Sequence, residues 1–378
     1  MQGRLPTLSD VARRAGVSYA TVDRVVNDRG GVADKSVKRV REAIDELGYV
    51  RNVAAANLSQ SRTYRFAAII PTGTNQFFQQ LRAILEAERI RLLADRINLR
   101  IEGIAAFDGE ALCERLDMLA RTGIDGVALV GTDDDIVARK IAELRAAGIA
   151  VLTLVSDAPN APRDAYIGID NRVAGQTAGR LIGLCHGGSG GRVLPIVGAL
   201  SAPDHAERLE GMRETVTALY PDLAIAPVII GRDEHEIVES KLRPIFENSH
   251  DITAVYSVGG GNAGLLRVLR ALPAGQNRPI VVLHDIVPQS REALENGVID
   301  AIIDQRPEVE IANALNCLRS IADRRPPDVA DPILPAVYFK ENLPPPQGRE
   351  TDAHPADAPS SDGARPASKS RVLKEIDQ

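Results

Sequence analysis

Thr7-Leu-Ser-Asp-Val-Ala-Arg-Arg-Ala-Gly-Val-Ser-Tyr-Ala-Thr-Val-Asp-Arg-Val-Val-Asn27 decides how the rest of the chain is read. The spacing predicts two short helices joined by a tight turn. Thr7 is placed to cap the first, with Asp10 three residues on as the acidic partner of a capping box. Ala12 and Ala15 are small enough for a second helix to cross closely. Gly16 supplies the turn, where a positive φ costs a glycine least. Ser18 caps a second helix that turns Val22, Val25 and Val26 inward and leaves Tyr19, Ala20, Asp23, Arg24 and Asn27 facing out. A plain αα-hairpin of a core would also need the small inward face. It would not need a polar, Arg-bearing outer one, and a helix pair so built is suited to enter a DNA major groove.

The run T-L-x-D-V-A-x-x-A-G-V-S-x-x-T-V-x-R-V-V-N, followed by Val32, Glu46-Leu-Gly-Tyr49 and Asn52, resembles the headpiece of LacI/GalR-family transcriptional regulators. Asp23 departs from the pattern, standing where the family usually has Ser, and places an acid near phosphate that Arg24 or Arg29 would have to offset. The resemblance implies DNA contacts from Thr7, Ser18, Tyr19, Ala20, Thr21, Arg24 and Asn27. It also implies that the segment holding Asn52, Ala55 and Leu58 is a hinge helix. In the family this helix orders on operator DNA and wedges a Leu into the minor groove, a device that unstacks a base step and kinks the duplex. Read without the resemblance, Asn52–Leu58 is too short to be a stable helix in water and serves equally as a linker.

Charge patterning agrees with a basic head on an acidic body. The whole chain of 378 residues carries a formal −6, but residues 1–65 hold 12 Lys/Arg against 7 Asp/Glu. That surplus of five leaves −11 on the remainder, which suits a DNA-reading module attached to a separate body. Cys113, Cys185 and Cys317 form no C-x-x-C pair, so neither a disulfide framework nor a zinc site is expected. No apolar run has the length of a membrane span and the first residues lack a signal-peptide core. The expectation is a cytoplasmic protein without membrane contact.

A third helix is predicted from Asp34 to Leu47, with Val37, Val40, Ile44 and Leu47 on one stripe and Gly48 beyond its end. Its Lys35, Lys38, Arg39 and Arg41 make a solvated face, open to phosphate contacts. From Phe66 to about Asp323 short apolar runs alternate with amphipathic stretches. Strands are expected at Phe66–Pro71, Leu99–Ala105, Gly126–Val130, Ala150–Val155, Arg192–Val197, Ala226–Ile230, Ala254–Val258, Ile280–His284 and Ala301–Asp304, with helices between them. Such alternation makes βαβ units and parallel sheets, and the units are too many for one sheet. The expected fold is therefore multi-domain: an all-α helix-turn-helix headpiece over 1–49, a hinge over 50–65, and a two-lobed α/β body over 66–343. That body resembles the periplasmic-binding-protein-like domain carried by LacI-type repressors. Residues 344–378, rich in Pro, Ala, Ser and Asp, are expected to form a disordered tail.

Ligands of such sheets bind at the carboxyl ends of the strands. The loops there contain Asn75, Phe77 and Phe78, then Asp157, then Asp204-His-Ala-Glu-Arg208, then Asn262, Asp285 and Gln305. Aromatic faces stack on the C–H faces of a sugar, and carboxylates, amides and an Arg fork satisfy its hydroxyls. In a chain with only 3% aromatic residues, two adjacent Phe at a strand end are informative. By resemblance to sugar-binding relatives, Asn75, Phe77, Phe78, Arg208, Asp285 and Gln305 hold a ligand. Asp157 and Asn262 join them although Val-Ser-Asp and Gly-Gly-Gly-Asn depart from the usual local pattern.

Gly259-Gly-Gly-Asn-Ala-Gly264 also matches the dinucleotide fingerprint G-x-G-x-x-G, but it lies late in the body among loops that offer a sugar site. Gly187-Gly-Ser-Gly-Gly191 lacks the Lys of a phosphate loop and reads as a surface turn. His205 and His284 stand apart from any catalytic or metal-ligand set, so neither enzyme activity nor a cofactor is expected. The sequence therefore points to a homodimeric repressor that binds operator DNA and is released by a small-molecule effector, a sugar or polyol. Two alternatives stay open: a regulator that needs a nucleobase-like corepressor, and a cytoplasmic solute- or nucleotide-binding enzyme with an incidental N-terminal hairpin.

Overall fold

The capping signals of the first helix are realised in full. In the computed structural model, α1 (Leu8–Ala15) starts with Thr7 Oγ1 accepting from the Asp10 amide, while Asp10 Oδ2 accepts from the Thr7 amide at 2.9 Å. Gly16 turns the chain at φ 61°, and Ser18 Oγ accepts from the Thr21 amide at 3.1 Å to open α2 (Tyr19–Val26). Together with α3 (Asp34–Leu47) these bury Val11, Ala12, Ala15, Val22, Val40 and Ala43 in one small core. Arg39 Nη2 donates to the Gly16 carbonyl, and Arg14 pairs with Glu46, so α3 braces the turn.

The structure describes residues 6–26, 30–49, 62–249, 251–273, 278–328 and 331–345. Asn27, Asn52, Ala55 and Leu58, with residues 50–61 of the expected hinge and 346–378 of the expected tail, lie outside the described residues.

The body has two sheets. The first contains β1 (Tyr64–Thr72), β2 (Ile97–Ala105), β3 (Gly126–Leu129), β4 (Ala150–Leu154) and β5 (Ala165–Ile167), all parallel, in the order β2-β1-β3-β4-β5. Helices α4 (Gln76–Ala94), α5 (Gly109–Arg121) and α6 (Asp135–Ala146) connect its strands. The second sheet is built from β6 (Gly191–Val197), β7 (Leu223–Ile225), β8 (Ile229–Ile230), β9 (Ile252–Ser257), β10 (Ile280–His284), β11 (Ala301–Asp304) and β12 (Ala336–Tyr338). Its order is β12-β11-β10-β9-β6-β7, with β8 beside β6. Helices α7 (Asn171–His186), α8 (Pro203–Leu219), α9 (His235–Asn248), α10 (Asn262–Arg270) and α11 (Pro288–Glu295) surround it. The last helix, α12 (Pro307–Ala322), leaves the second sheet but packs on β1, β3, β4, β5 and α4 of the first.

The chain thus passes between the lobes after β5, after β11 and after α12. Ile169 and Ile333, on two of these crossings, pair as an isolated parallel bridge. Apolar side chains on both faces of each sheet make the core, as buried parallel strands require.

Three departures from the sequence reading have local causes. The expected strand Ala226–Ile230 does not exist as one piece. Pro227 cannot donate to a ladder, so pairing stops at Ile225 and resumes at Ile229. Two edge strands went unread, β5 and β12, because three residues carry no usable periodicity. The second of these runs antiparallel to β11, so that sheet is mixed at its edge.

α7 and α8 approach so closely that their glycines are obligatory. A Cβ on Gly175 would sit 2.0 Å from the Arg208 carbonyl oxygen, and one on Gly211 would sit 2.1 Å from that of Arg172. This contact sets the depth at which Arg208 enters the molecule.

Candidate functional site

On the headpiece, Ser18, Tyr19, Ala20 and Arg24 are exposed, Tyr19 by 55%. Thr7 and Thr21 are half-buried, the first within its capping box and the second bonded through Oγ1 to Ser18 Oγ at 2.8 Å. Asp23 is half-buried beside them. The start of α2 therefore presents a flat aromatic, a methyl and a cation on one face, while its valines are turned to the core.

The strand ends of both lobes converge on a cleft enclosing about 500 Å³, counting the part open to solvent. Asn75, Phe77 and Phe78 enter from the first lobe, and Arg208, Asn262, Asp285 and Gln305 from the second. Asn75 caps α4 by accepting from the Phe77 amide at 3.0 Å, which orients both phenyl rings, 5.5 Å apart and edge to face. Phe77 is buried; Phe78 is half-buried and meets the cleft.

Arg208 is 2% exposed. Its Nε donates to Asn171 Oδ1 at 2.8 Å and its Nη1 to the Val258 carbonyl at 3.1 Å, tying α8 to α7 and to the end of β9. Its Nη2 is buried without a hydrogen-bond partner among the described residues, as are Gln305 Oε1 and His284 Nδ1. His235 Nδ1, also in the lining, is buried and unpartnered among the described residues too, and these four polar atoms at one cleft, each costly to leave unpaired, are what a ligand's hydroxyls would satisfy.

Asp285, the residue after β10, sits at φ 69°, a left-handed conformation, and both its oxygens accept from Gln305 Nε2 at 3.0 Å. Burial pushes its carboxyl up to about 7, with the Arg208 guanidinium opposing and Asp304 adding to the rise. Val155, the residue after β4, also faces the cleft at φ 67°. A β-branched residue there costs on the order of 1–3 kcal/mol and is retained only where its surroundings hold it. Here the Tyr166 hydroxyl donates to the Val155 carbonyl at 2.9 Å, and the Val155 amide donates to Ile167.

Asp157 is not brought into the cleft. Its carboxylate is engaged by Arg163 at 2.5 Å, by the Thr153 hydroxyl at 2.6 Å and by the Ala158 amide at 2.7 Å. Val155 forms the wall in its place. Asn262 does line the cleft, but its Oδ1 accepts from Ser257 Oγ at 2.6 Å and its Nδ2 donates to the Gly259 carbonyl.

Several residues in or behind the cleft carry no ligand role in the sequence analysis. Asp204 and His205 are buried side by side, and the His205 Nδ1 accepts from the Ala199 amide at 3.3 Å. Burial would raise the Asp204 carboxyl, but His205 and Arg208 outweigh it and hold the carboxyl below its ordinary value. His284 Nε2 shares a 2.8 Å hydrogen bond with the Tyr256 hydroxyl, and burial, with Arg208 and His205, keeps the imidazole neutral well below its ordinary value. Asp233 joins the lobes through Asn75. Glu310, on α12, is fully buried with neither carboxyl oxygen hydrogen-bonded among the described residues. Burial, then Asp285, pushes it well above the ordinary carboxyl range. The only advance signal for His284 and Glu310 was their place one residue before Asp285 and five after Gln305.

The Gly259-Gly-Gly run has a packing reason that needs no nucleotide. A Cβ on Gly260 would meet Asn75 Nδ2 at 2.8 Å, and one on Gly259 would meet His205 at 2.6 Å. Among the described residues no three His, Cys, Asp or Glu side chains are grouped to hold a metal ion. No helix among them is long and apolar enough to cross a membrane.

Comparison with known proteins agrees with both parts. Residues 7–52 match the lacI family of bacterial regulatory proteins, and residues 66–326 match the periplasmic binding protein domain. The chain is 27% identical to the HTH-type transcriptional regulator DegA of Bacillus subtilis over 212 residues, 56% of this chain and 60% of that protein. To the HTH-type transcriptional regulator CelR of Thermobifida fusca it is 28% identical over 71% of this chain and 78% of that one. Among solved structures, an ABC transporter solute-binding protein from Burkholderia graminis, in complex with D-arabinose, superposes with a TM-score of 0.68 at 22% identity. That match covers 74% of this chain and 96% of the other, and it speaks for the fold of the body alone. With the helix-turn-helix and the two-lobed cleft both in place, the chain belongs to the LacI family of bacterial regulatory proteins, a helix-turn-helix head on a periplasmic-binding-protein-like body.

Proposed function

We propose that the protein is a transcriptional repressor of carbohydrate or polyol use, acting as a homodimer in the cytoplasm and released from its operator by a small sugar-like effector. The observation that carries this reading is the convergence of Arg208, Asp285 and Gln305 from one lobe with Asn75 and Phe78 from the other, on a body joined to a DNA-reading head. A ligand gripped from both sides favours the closed lobes. Closure changes how a pair of heads is presented, and operator affinity falls. A ligand with about 100-fold preference for one state shifts the equilibrium by only about 2.7 kcal/mol per site, so two coupled sites in a dimer make the switch sharper. Exposed Ile90 and Leu93, one turn apart on α4 of the first lobe, support a self-association contact there.

The head's α2 enters the major groove with Tyr19 and Ala20 at base edges and Arg24 a turn further on, and Leu58 acts as the minor-groove wedge. The test is a thermal-shift screen of the full chain against sugars and polyols, followed by operator titration with each stabilising compound. The reading requires a compound that raises the melting temperature and weakens operator binding. A compound that strengthens it would make the protein a corepressor-dependent regulator, and steep salt dependence of DNA binding would be absent if the head were an incidental hairpin.

A further inference from the structure

The polar cleft has a neighbour of nearly equal size. A second compartment, about 490 Å³ when the part open to solvent is counted, lies against it, with Pro71, Ile104, Phe107, Leu112 and Val130 of the first lobe as its apolar wall. Phe78, Asp204 and His205 line both and form the partition between them. The chemistry changes across that partition. On one side stand Asp285 and the unpaired polar atoms of Arg208, Gln305 and His284. On the other the wall is mainly aliphatic and aromatic, Asp108 and Asp233 reach its edge, and Thr132 Oγ1 and Ser156 Oγ are hydroxyls buried there without a hydrogen-bond partner among the described residues.

Phe107 is held at φ 59°, a conformation a bulky side chain adopts only under constraint, and its ring centre lies 6.1 Å from that of His205, tilted 57°. An aromatic so held, lining the same space as Phe78, is a stacking surface for a ring. A free monosaccharide fills the polar compartment alone and offers nothing to the second.

We infer that this protein's effector is a two-part molecule, a sugar or polyol ring in the Arg208–Asp285 compartment carrying an apolar, ring-sized substituent between Phe78 and Phe107, as in an aryl glycoside. This rests on the proposed sugar-responsive reading and narrows it. The linking oxygen passes between Phe78 and His205, where the Asp204 carboxylate accepts from the adjacent ring hydroxyl. The apolar compartment then supplies discrimination between a glycoside and the free sugar, because desolvating a phenyl group is favourable there and impossible for the bare ring.

The experiment uses the full chain and a panel of monosaccharides with their methyl and phenyl glycosides in both anomeric forms, screened by thermal shift and measured by calorimetry. In one anomeric series the phenyl glycoside should bind on the order of thirtyfold more tightly than the methyl glycoside. Ala106→Phe, which fills the apolar compartment, should erase that advantage and leave the free sugar binding as it does to the parent. Should Ala106→Phe lose the parent's circular dichroism, Ile104→Trp obstructs the same space from β2. Phenyl glycosides that bind no better than methyl ones, or an advantage that survives both obstructing variants, would overturn the two-part ligand while leaving the sugar reading intact. If no sugar, polyol or glycoside stabilises the protein, the sugar reading fails and this inference with it.

Discussion

Asn75 Nδ2 on the first lobe donates to Asp233 Oδ2 on the second at 2.8 Å, and the same carboxylate accepts from the Gly260 amide at 2.8 Å. The Thr74 hydroxyl donates to the Asp233 carbonyl beside it. Asp233 is only 5% exposed, so this pair is a buried clasp across the cleft. Asp233→Asn keeps the shape and the left-handed backbone but presents an amide donor to the Asn75 donor. Thermal stability should fall by about 1–2 kcal/mol, and small-angle scattering should report a larger radius of gyration. An unchanged radius would show that the clasp does not hold the lobes together.

Asp285 and Glu310 make stability depend on pH. Unfolded, Asp285 ionises near 3.8; folded, burial raises it to about 7, and Glu310 is raised in the same direction. Both therefore bind protons more tightly in the folded state. Their contribution is fully present below pH 4 and is lost as pH rises toward 7. Asp285→Asn should flatten this dependence and leave the protein roughly 2–4 kcal/mol more stable than the parent at pH 8, while abolishing effector response. Chemical denaturation at pH 5 and pH 8 measures it, and a variant equally destabilised at both would refute the assignment.

Arg208 is more deeply placed than a surface contact to ligand would be. Arg208→Ala strands Asn171 Oδ1 and the Val258 carbonyl, so it should lower stability by about 2–4 kcal/mol as well as remove effector response. Operator binding should persist below the lowered melting temperature, because the head has its own core. Release from operator at the parent's effector concentration would exclude Arg208 from the site.

Gly175→Ala touches no ligand, yet its methyl would lie 2.0 Å from the Arg208 carbonyl oxygen. Overpacking there should displace α8, costing about 1–3 kcal/mol of stability and weakening effector binding together. Loss of stability with unaltered effector affinity would show that the helix contact does not position Arg208.

On the DNA side, Tyr19→Ala and Ala20→Ser should change which operators are preferred, and Arg24→Ala should weaken binding by roughly 1–3 kcal/mol. Competition titrations over an operator library measure both effects. An unchanged ranking of operators would mean that the start of α2 does not read bases.

The sequence by itself determined the elements and their order. Capping at Thr7 and Ser18, the glycine turns at Gly16 and Gly48, and the alternation of apolar runs with amphipathic stretches are local properties, each settled by backbone sterics and hydrogen bonding within a few residues. They sufficed for the headpiece, for two lobes, and for the strand ends that bring Asn75, Phe78, Arg208, Asn262, Asp285 and Gln305 together. What only the tertiary structure decided is which polar groups lack partners. Asp157 and Arg208 look alike in sequence, each a charged residue beyond a strand. Folding gives Asp157 a neighbour, Arg163, that takes its charge, whereas it buries Arg208 with one nitrogen left over. Glu310, His284 and the clasp between Asn75 and Asp233 arise in the same way, from contacts between residues 20 to 158 positions apart or more, where desolvation and pairing are decided by packing rather than by any local pattern.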